Sequence, residues 1–351
     1  MSVFIGLFFL EVGLRVLYPT PFGFVKGGVV ADGELCYRLP SDFSAVVNTF
    51  NPPYRTKYTT TTFGSRTAEM YEEGLPVILM LGDSFTLGIQ VQDDETFAAR
   101  VAQSTKVNVL NYGTLGYNPY QYLLLLNKTM REFPVRFVVV NLYVSNDVVL
   151  REDSPRDHCV MTVVDGYLVN ADWENKSLFF KMRTFFHHHT HVYNFVSNQL
   201  MRSQWMRKVL YYGGFAVNTP ENLEVLLFTN TSKSEEYYAT TFSILDEMNE
   251  ITKNHNATLV LVLIPSKYHV NKELWQVFWQ KNGGGISLPD ASIPFDRLKR
   301  SAQEKNMTVI DLYELFMQDA VPDRFFGVRD DHYNKEGHER HAEEVVKVIN
   351  V

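Results

Sequence analysis

From residue 76 onward the chain is punctuated by five short, unbroken apolar runs: Val77–Leu81, Val107–Leu110, Phe137–Tyr143, Thr258–Ile264 and Thr308–Leu312. A strand with one face in water alternates apolar and polar residues, so a continuous run marks a strand buried on both faces. Stretches whose apolar positions share one helical face lie among them, at Glu95–Gln103, Tyr237–Asn254, Phe295–Lys305 and Glu336–Ile349. Parallel neighbours need long crossovers, and such crossovers are right-handed. The pattern therefore predicts an α/β fold: a three-layer α/β/α, flavodoxin-like domain with a five-stranded parallel sheet over residues 76–351.

Two regions break the pattern. Residues 19–75 are rich in Pro, Gly, Tyr and Thr without a sustained period, and read as an extended lead-in packed over the later core. Residues 151–235 interrupt the strand–helix alternation after the third run. They offer a hairpin around Asp165-Gly166, an aromatic and basic helical stretch (Leu178–Tyr212) and a loop, Gly213–Pro220. An insertion at the C-terminal end of a strand lies where open α/β sheets bind ligands, so it reads as a lid or substrate-selecting cap.

Residues 1–18 form a third unit. Val3–Leu10 is strongly apolar but is cut by Glu11 and Arg15, and is shorter than the roughly 20 residues that span a bilayer. Two readings stand: an amphipathic first helix, or the last turns of a membrane anchor.

Composition narrows the classes of function. Apolar residues make up 45% of the chain and charged ones 21%, which suits a large globular core. With a net charge of -7 and no long basic run, nothing supplies a phosphate-neutralising surface, and nucleic acid is excluded as a partner. Cys36 and Cys159 lack Cys-x-x-Cys spacing and either pair or stay free. Asn-x-Ser/Thr tripeptides at Asn127, Asn175, Asn230, Asn256 and Asn306 are too common by chance to carry weight. The cluster His187-His-His-Thr-His191 has no flanking acidic or cysteine partner at metal-site spacing, so no metal is assigned. Aromatic residues around Trp205–Tyr212 and Trp275–Trp279 read as core or interface.

Candidate chemistry gathers at the strand ends. Gly82-Asp-Ser84 follows the first strand and exposes a serine beside a helix, where it can act as a nucleophile if a base reaches it. Asn111-Tyr-Gly-Thr-Leu-Gly116 follows the second and can turn the Gly116 N–H toward a substrate oxygen. Asn146 follows the third, its amide a further donor. Asp330-Asp-His332 precedes the last helix; a histidine held by a carboxylate can take the serine proton. His338 lies at the start of that helix, where packing or capping suits it better than catalysis.

These four blocks, in this order and each at a strand end, resemble the SGNH (GDSL) hydrolase superfamily. The resemblance implies Ser84 as nucleophile, Asp330 and His332 as its acid–base partners, and an oxyanion hole made by the Ser84 N–H, the Gly116 N–H and the Asn146 amide. It implies hydrolysis of acyl esters through an acyl-enzyme, with no metal or organic cofactor. Ser145 departs from the glycine usual in the third block, and Asp-x-His departs from the commoner Asp-x-x-His. The latter spacing is similar to that of polysaccharide O-acetyltransferase relatives, so transfer of the acyl group to a glycan is the rival reading. An inactive carbohydrate- or lipid-binding relative is the non-enzyme alternative. The segment Glu11-Val-Gly-Leu-Arg15 resembles the lead-in of bacterial membrane-anchored members. That likeness implies membrane association through the N-terminus and a domain outside the cytoplasm, periplasmic or at the cell surface.

Overall fold

A computed structural model describes residues 2–17, 25–49, 55–66, 71–149, 159–200, 223–282, 287–328 and 330–349. Its centre is a parallel sheet of five strands: β1 (Val77–Gly82), β2 (Asn108–Asn111), β3 (Val135–Tyr143), β4 (Thr258–Ile264) and β5 (Thr308–Asp311). They lie in the order 2-1-3-4-5, all neighbours parallel. The sequence order reverses between β1 and β3, the switch point at which such sheets leave a crevice beyond the strand ends.

The unbroken apolar runs have a simple cause. Successive side chains point to opposite faces, so Val77, Leu79 and Leu81 enter one core cluster while Ile78 and Met80 enter the other. Likewise Leu259, Leu261 and Leu263 face one layer, and Val260, Val262 and Ile264 the second. Helices Pro119–Glu132, Ser232–Asn254 and Ile293–Glu304 cover the first face through side chains such as Leu126, Leu245 and Leu298. Helices Phe97–Thr105 and Lys335–Ile349 cover the second through Val101 and Val345. Truncating any of these buried leucines to alanine removes about 2–5 kcal/mol.

Two differences from the sequence pattern have local causes. The fifth strand stops at Asp311, because its carboxylate accepts the Glu314 N–H and starts a helix at Leu312. The helix Pro119–Glu132 is not among the helical stretches of the pattern; Asn118 and Gln121 form a capping box at its start.

The lead-in carries structure of its own: antiparallel pairs Val30–Asp32 with Cys36–Arg38, and Ser44–Asn48 with Arg55–Thr59. In the insertion, Met161–Val164 pairs with Tyr167–Asn170. Its two-residue turn is Asp165-Gly166, both at positive φ, the type I′ geometry that matches strand twist. Helices Leu178–His189 and His191–Leu200 follow. The loop 213–220 and the aromatics of 205–212 lie outside the described residues. Trp275 and Trp279 are buried in the core. A disulfide joins Cys36 to Cys159, with Cα atoms 5.6 Å apart, tying the lead-in to the insertion.

Candidate active site

β1 delivers the serine. Asp83 caps the short helix Ser84–Leu87, its Oδ1 accepting the Phe85 N–H at 2.9 Å, which leaves Ser84 on the first turn at the sheet's C-terminal edge. Ser84 is only 8% exposed. The turn after β2 packs against this helix so closely that a Cβ at Gly113 would lie 2.3 Å from the Leu87 nitrogen, so only glycine fits.

His332 arrives from the loop before the closing helix. His332 Nε2 stands 2.7 Å from Ser84 Oγ, and His332 Nδ1 stands 2.8 Å from Asp330 Oδ1. Ionised, Asp330 can only accept, so Nδ1 carries the hydrogen and Nε2 presents its lone pair to the serine hydroxyl. The two-residue spacing is accommodated because Asp330 Oδ1 also takes the His332 backbone N–H at 3.3 Å. Asp330 Oδ2 accepts from Gln90 Nε2 at 2.5 Å.

Gln90 is held from the lead-in. Buried Arg66 pairs with Asp93 at 3.0 Å and donates to the carbonyls of Leu87, Gly88 and Val91, fixing the segment that carries Gln90.

Neighbouring groups set the charge balance. Burial works against an imidazolium at His332, but the Asp330 hydrogen bond and charge, with Asp83 and Asp331, outweigh it and hold its pKa above the usual histidine value. Burial would raise Asp330; its bonds to His332 dominate and hold it below the ordinary carboxylate range. Asp331 is turned away, accepting from Tyr143 Oη and from the Lys267 N–H, each at 2.6 Å. Burial pushes its carboxyl up. The Phe85 ring lies 4.8 Å from that of His332 and backs it.

Three candidate donors follow the C-terminal ends of β1, β2 and β3. Ser84 N–H and Gly116 N–H meet no acceptor among the described residues. Gly116 has φ +70°, a conformation open to glycine. Asn146, exposed at the end of β3, donates one amide hydrogen to Asp83 Oδ2 at 3.2 Å and keeps the other. Ser145 is not at positive φ, so this position does not require glycine. His338 is buried and neutral: burial drives its pKa well down, and its Nδ1 accepts the Phe97 N–H at 3.1 Å, capping a neighbouring helix.

The structure thus brings Ser84, His332 and Asp330 into one hydrogen-bonded line. Gln90, Arg66 and Tyr37, whose hydroxyl donates to the Leu115 carbonyl beside Gly116, were not singled out in the sequence. Each acts on a distant partner, and no local motif marks it. Within the histidine cluster, His188 stacks on Tyr167 at 4.6 Å, His189 Nδ1 contacts the Phe185 carbonyl at 2.7 Å and His191 lies 3.5 Å from Glu11.

No family model matches the chain, and no curated protein matches it. Among solved structures it is similar to a lipolytic G-D-S-L protein from Veillonella parvula, at 15% identity over 78% of this chain and 98% of that one, with a TM-score of 0.41. A lipase/acylhydrolase from Enterococcus faecalis is 14% identical over 78% and 95%, also at 0.41. The esterase EstA from Pseudoalteromonas sp. is 11% identical over 78% and 96%, at 0.39. At identities of 11–15% these likenesses are ones of fold alone.

Proposed function

We propose that the protein hydrolyses acyl esters, with Ser84 as nucleophile. The observation that carries this reading is the unbroken line from Ser84 Oγ through His332 to Asp330. Ser84 Oγ attacks the ester carbonyl carbon as His332 Nε2 removes its proton. The carbonyl oxygen becomes an oxyanion held by the Ser84 and Gly116 N–H groups and the Asn146 amide. Collapse breaks the bond to the alkoxide, which takes the proton from His332 and leaves as alcohol. Water then repeats the cycle on the acyl-enzyme and releases the acid.

Hydrolysis of p-nitrophenyl acetate and longer acyl esters by wild type and Ser84→Ala tests this. Turnover by the wild type that vanishes in the variant is expected; equal turnover in both would sink the assignment. Asn146→Ala should lower kcat by about 10²–10³.

The same reading sets the protein outside the cytoplasm and associates its N-terminus with a membrane. Two observations support it: the Cys36–Cys159 disulfide, which suits an oxidising compartment, and the exposed apolar helix Ser2–Leu17. None of the described helices is long and apolar enough to cross a membrane. Recovery of the protein wholly in the cytoplasmic soluble fraction would overturn this part.

A further inference from the structure

Helix Leu178–His189 is built inside out. Leu178, Met182, Phe185 and Phe186 follow the 4, 7, 8 spacing of one helical stripe, and all four are exposed, Leu178 at 75% and Phe185 at 55%. Its polar residues Lys181, Arg183, Thr184 and His188 are half-buried, with Phe180 among them. A helix in water ordinarily turns its apolar stripe to the core; this one turns it outward.

A second helix shares the anomaly and identifies what covers it. In Ser2–Leu17 every residue from Phe4 to Leu10 is exposed, Phe4 at 78%. A protein partner, including a second copy of this chain, covers one side of a helix. Apolar residues exposed all round call for a medium that surrounds them, which is lipid.

The two helices are tied together. Both Glu11 carboxylate oxygens accept backbone N–H groups, from His191 at 2.9 Å and Val192 at 2.8 Å, at the start of helix His191–Leu200. Arg15 donates to the His189 carbonyl at 2.9 Å, where the inside-out helix ends. The charges that interrupt the N-terminal apolar run are therefore the clasp that holds it against the insertion.

Charge agrees. From Lys176 to Leu200 there are three Lys/Arg and no Asp or Glu, in a chain whose net charge is -7. A cationic, aromatic-rich segment on an acidic protein complements anionic lipid headgroups, and long cationic stems can reach up beside an apolar stripe.

We propose that helix Leu178–His189 lies in the interface of an anionic lipid bilayer, its Leu178–Met182–Phe185–Phe186 stripe among the acyl chains. At 12 residues it is too short to span and lies in the plane. The same insertion sets Met161 against Gly116, its sulfur 3.2 Å from where a Cβ would stand. The substrate class that follows is an acyl ester presented at a lipid surface. This last step rests on the ester-hydrolase reading; the membrane contact does not.

The test uses the full chain with Ser84→Ala, so that no lipid is consumed. Phe185→Trp in that background is mixed with phosphatidylglycerol vesicles carrying brominated acyl chains, and its emission is compared with that of the parent. Strong quenching of the added tryptophan is expected, with none for a tryptophan at exposed Val321. Vesicle binding without quenching at Phe185 would overturn the proposal by confining contact to the N-terminal helix. A blue shift that grows with protein concentration in the absence of lipid would overturn it in favour of a second copy. Leu178→Ser/Met182→Ser/Phe185→Ser should weaken partitioning by about tenfold or more; unchanged partitioning would also overturn it. Because the binding assays lack the nucleophile, failure of the ester assay leaves their outcome standing.

Discussion

Tyr37 donates its phenolic hydrogen to the Leu115 carbonyl at 2.6 Å. That carbonyl and the Gly116 N–H belong to one planar trans peptide and point in opposite directions. A hydrogen bond accepted at one end fixes the direction of the other, and polarises it. Tyr37 is itself fixed, because Tyr117 donates to its carbonyl. Tyr37→Phe should lower kcat about tenfold with little change in KM, less than outright loss of an oxyanion donor. Steady-state kinetics on a soluble ester check the split; a rise in KM alone would assign Tyr37 to substrate binding instead.

The Asp330–His332 bond predicts a pH profile. His332 must be neutral to accept a proton, and its pKa is held above the ordinary value. The acid limb of kcat/KM should therefore lie above pH ~6.5. Asp330→Asn removes the groups' main attraction, so the limb should move to lower pH while kcat falls steeply. A limb that stays in place would show that another group sets it.

His341 stacks on Phe97 at 3.8 Å between ring centroids, and burial drives its pKa down to about 3. In the unfolded chain it takes a proton near pH ~6.5. The unfolded state then holds the extra proton, so stability falls as pH drops below that value, by about 1.4 kcal/mol per pH unit from this group. Urea unfolding at pH 7 and pH 5 should show the loss, and His341→Phe should reduce it by about one proton's worth.

The Cys36–Cys159 bond closes a loop across 123 positions. Losing such a closure costs up to about 4 kcal/mol, and it frees the Cys36–Arg38 strand and Met161, which bracket Gly116. Cys36→Ser/Cys159→Ser should lower both Tm and kcat; thermal unfolding and ester turnover on the same preparation measure the two.

Much of this was open to reading in the residues. Strands such as Thr258–Ile264 stood out because burial on both faces leaves no polar alternation, and their ends pointed to Ser84 and Asn146. The expected strand end for the fourth block was wrong, because the helix Leu312–Met317 separates the last strand from His332, which was legible only from its spacing to Asp330. The capping box of Asn118 and Gln121 is spelled in the sequence, but the tyrosines and leucines that follow it mask the helical period. What could not be read was contact across sequence: Gln90 meets Asp330 over 240 positions, and Tyr37 meets Leu115 over 78. Nothing in the local spelling of Arg66 says that it will be buried among carbonyls.

Ser84 and His332 stand 248 positions apart, the first on the helical turn after β1 and the second in the loop before the final helix. A growing chain therefore carries its serine long before it owns a base, and the site is the last part of the domain to be completed. On the proposed reading, the polypeptide has no turnover of esters until the segment carrying His332 docks. A fragment clipped ahead of Asp330 never gains His332, however well its five strands have folded.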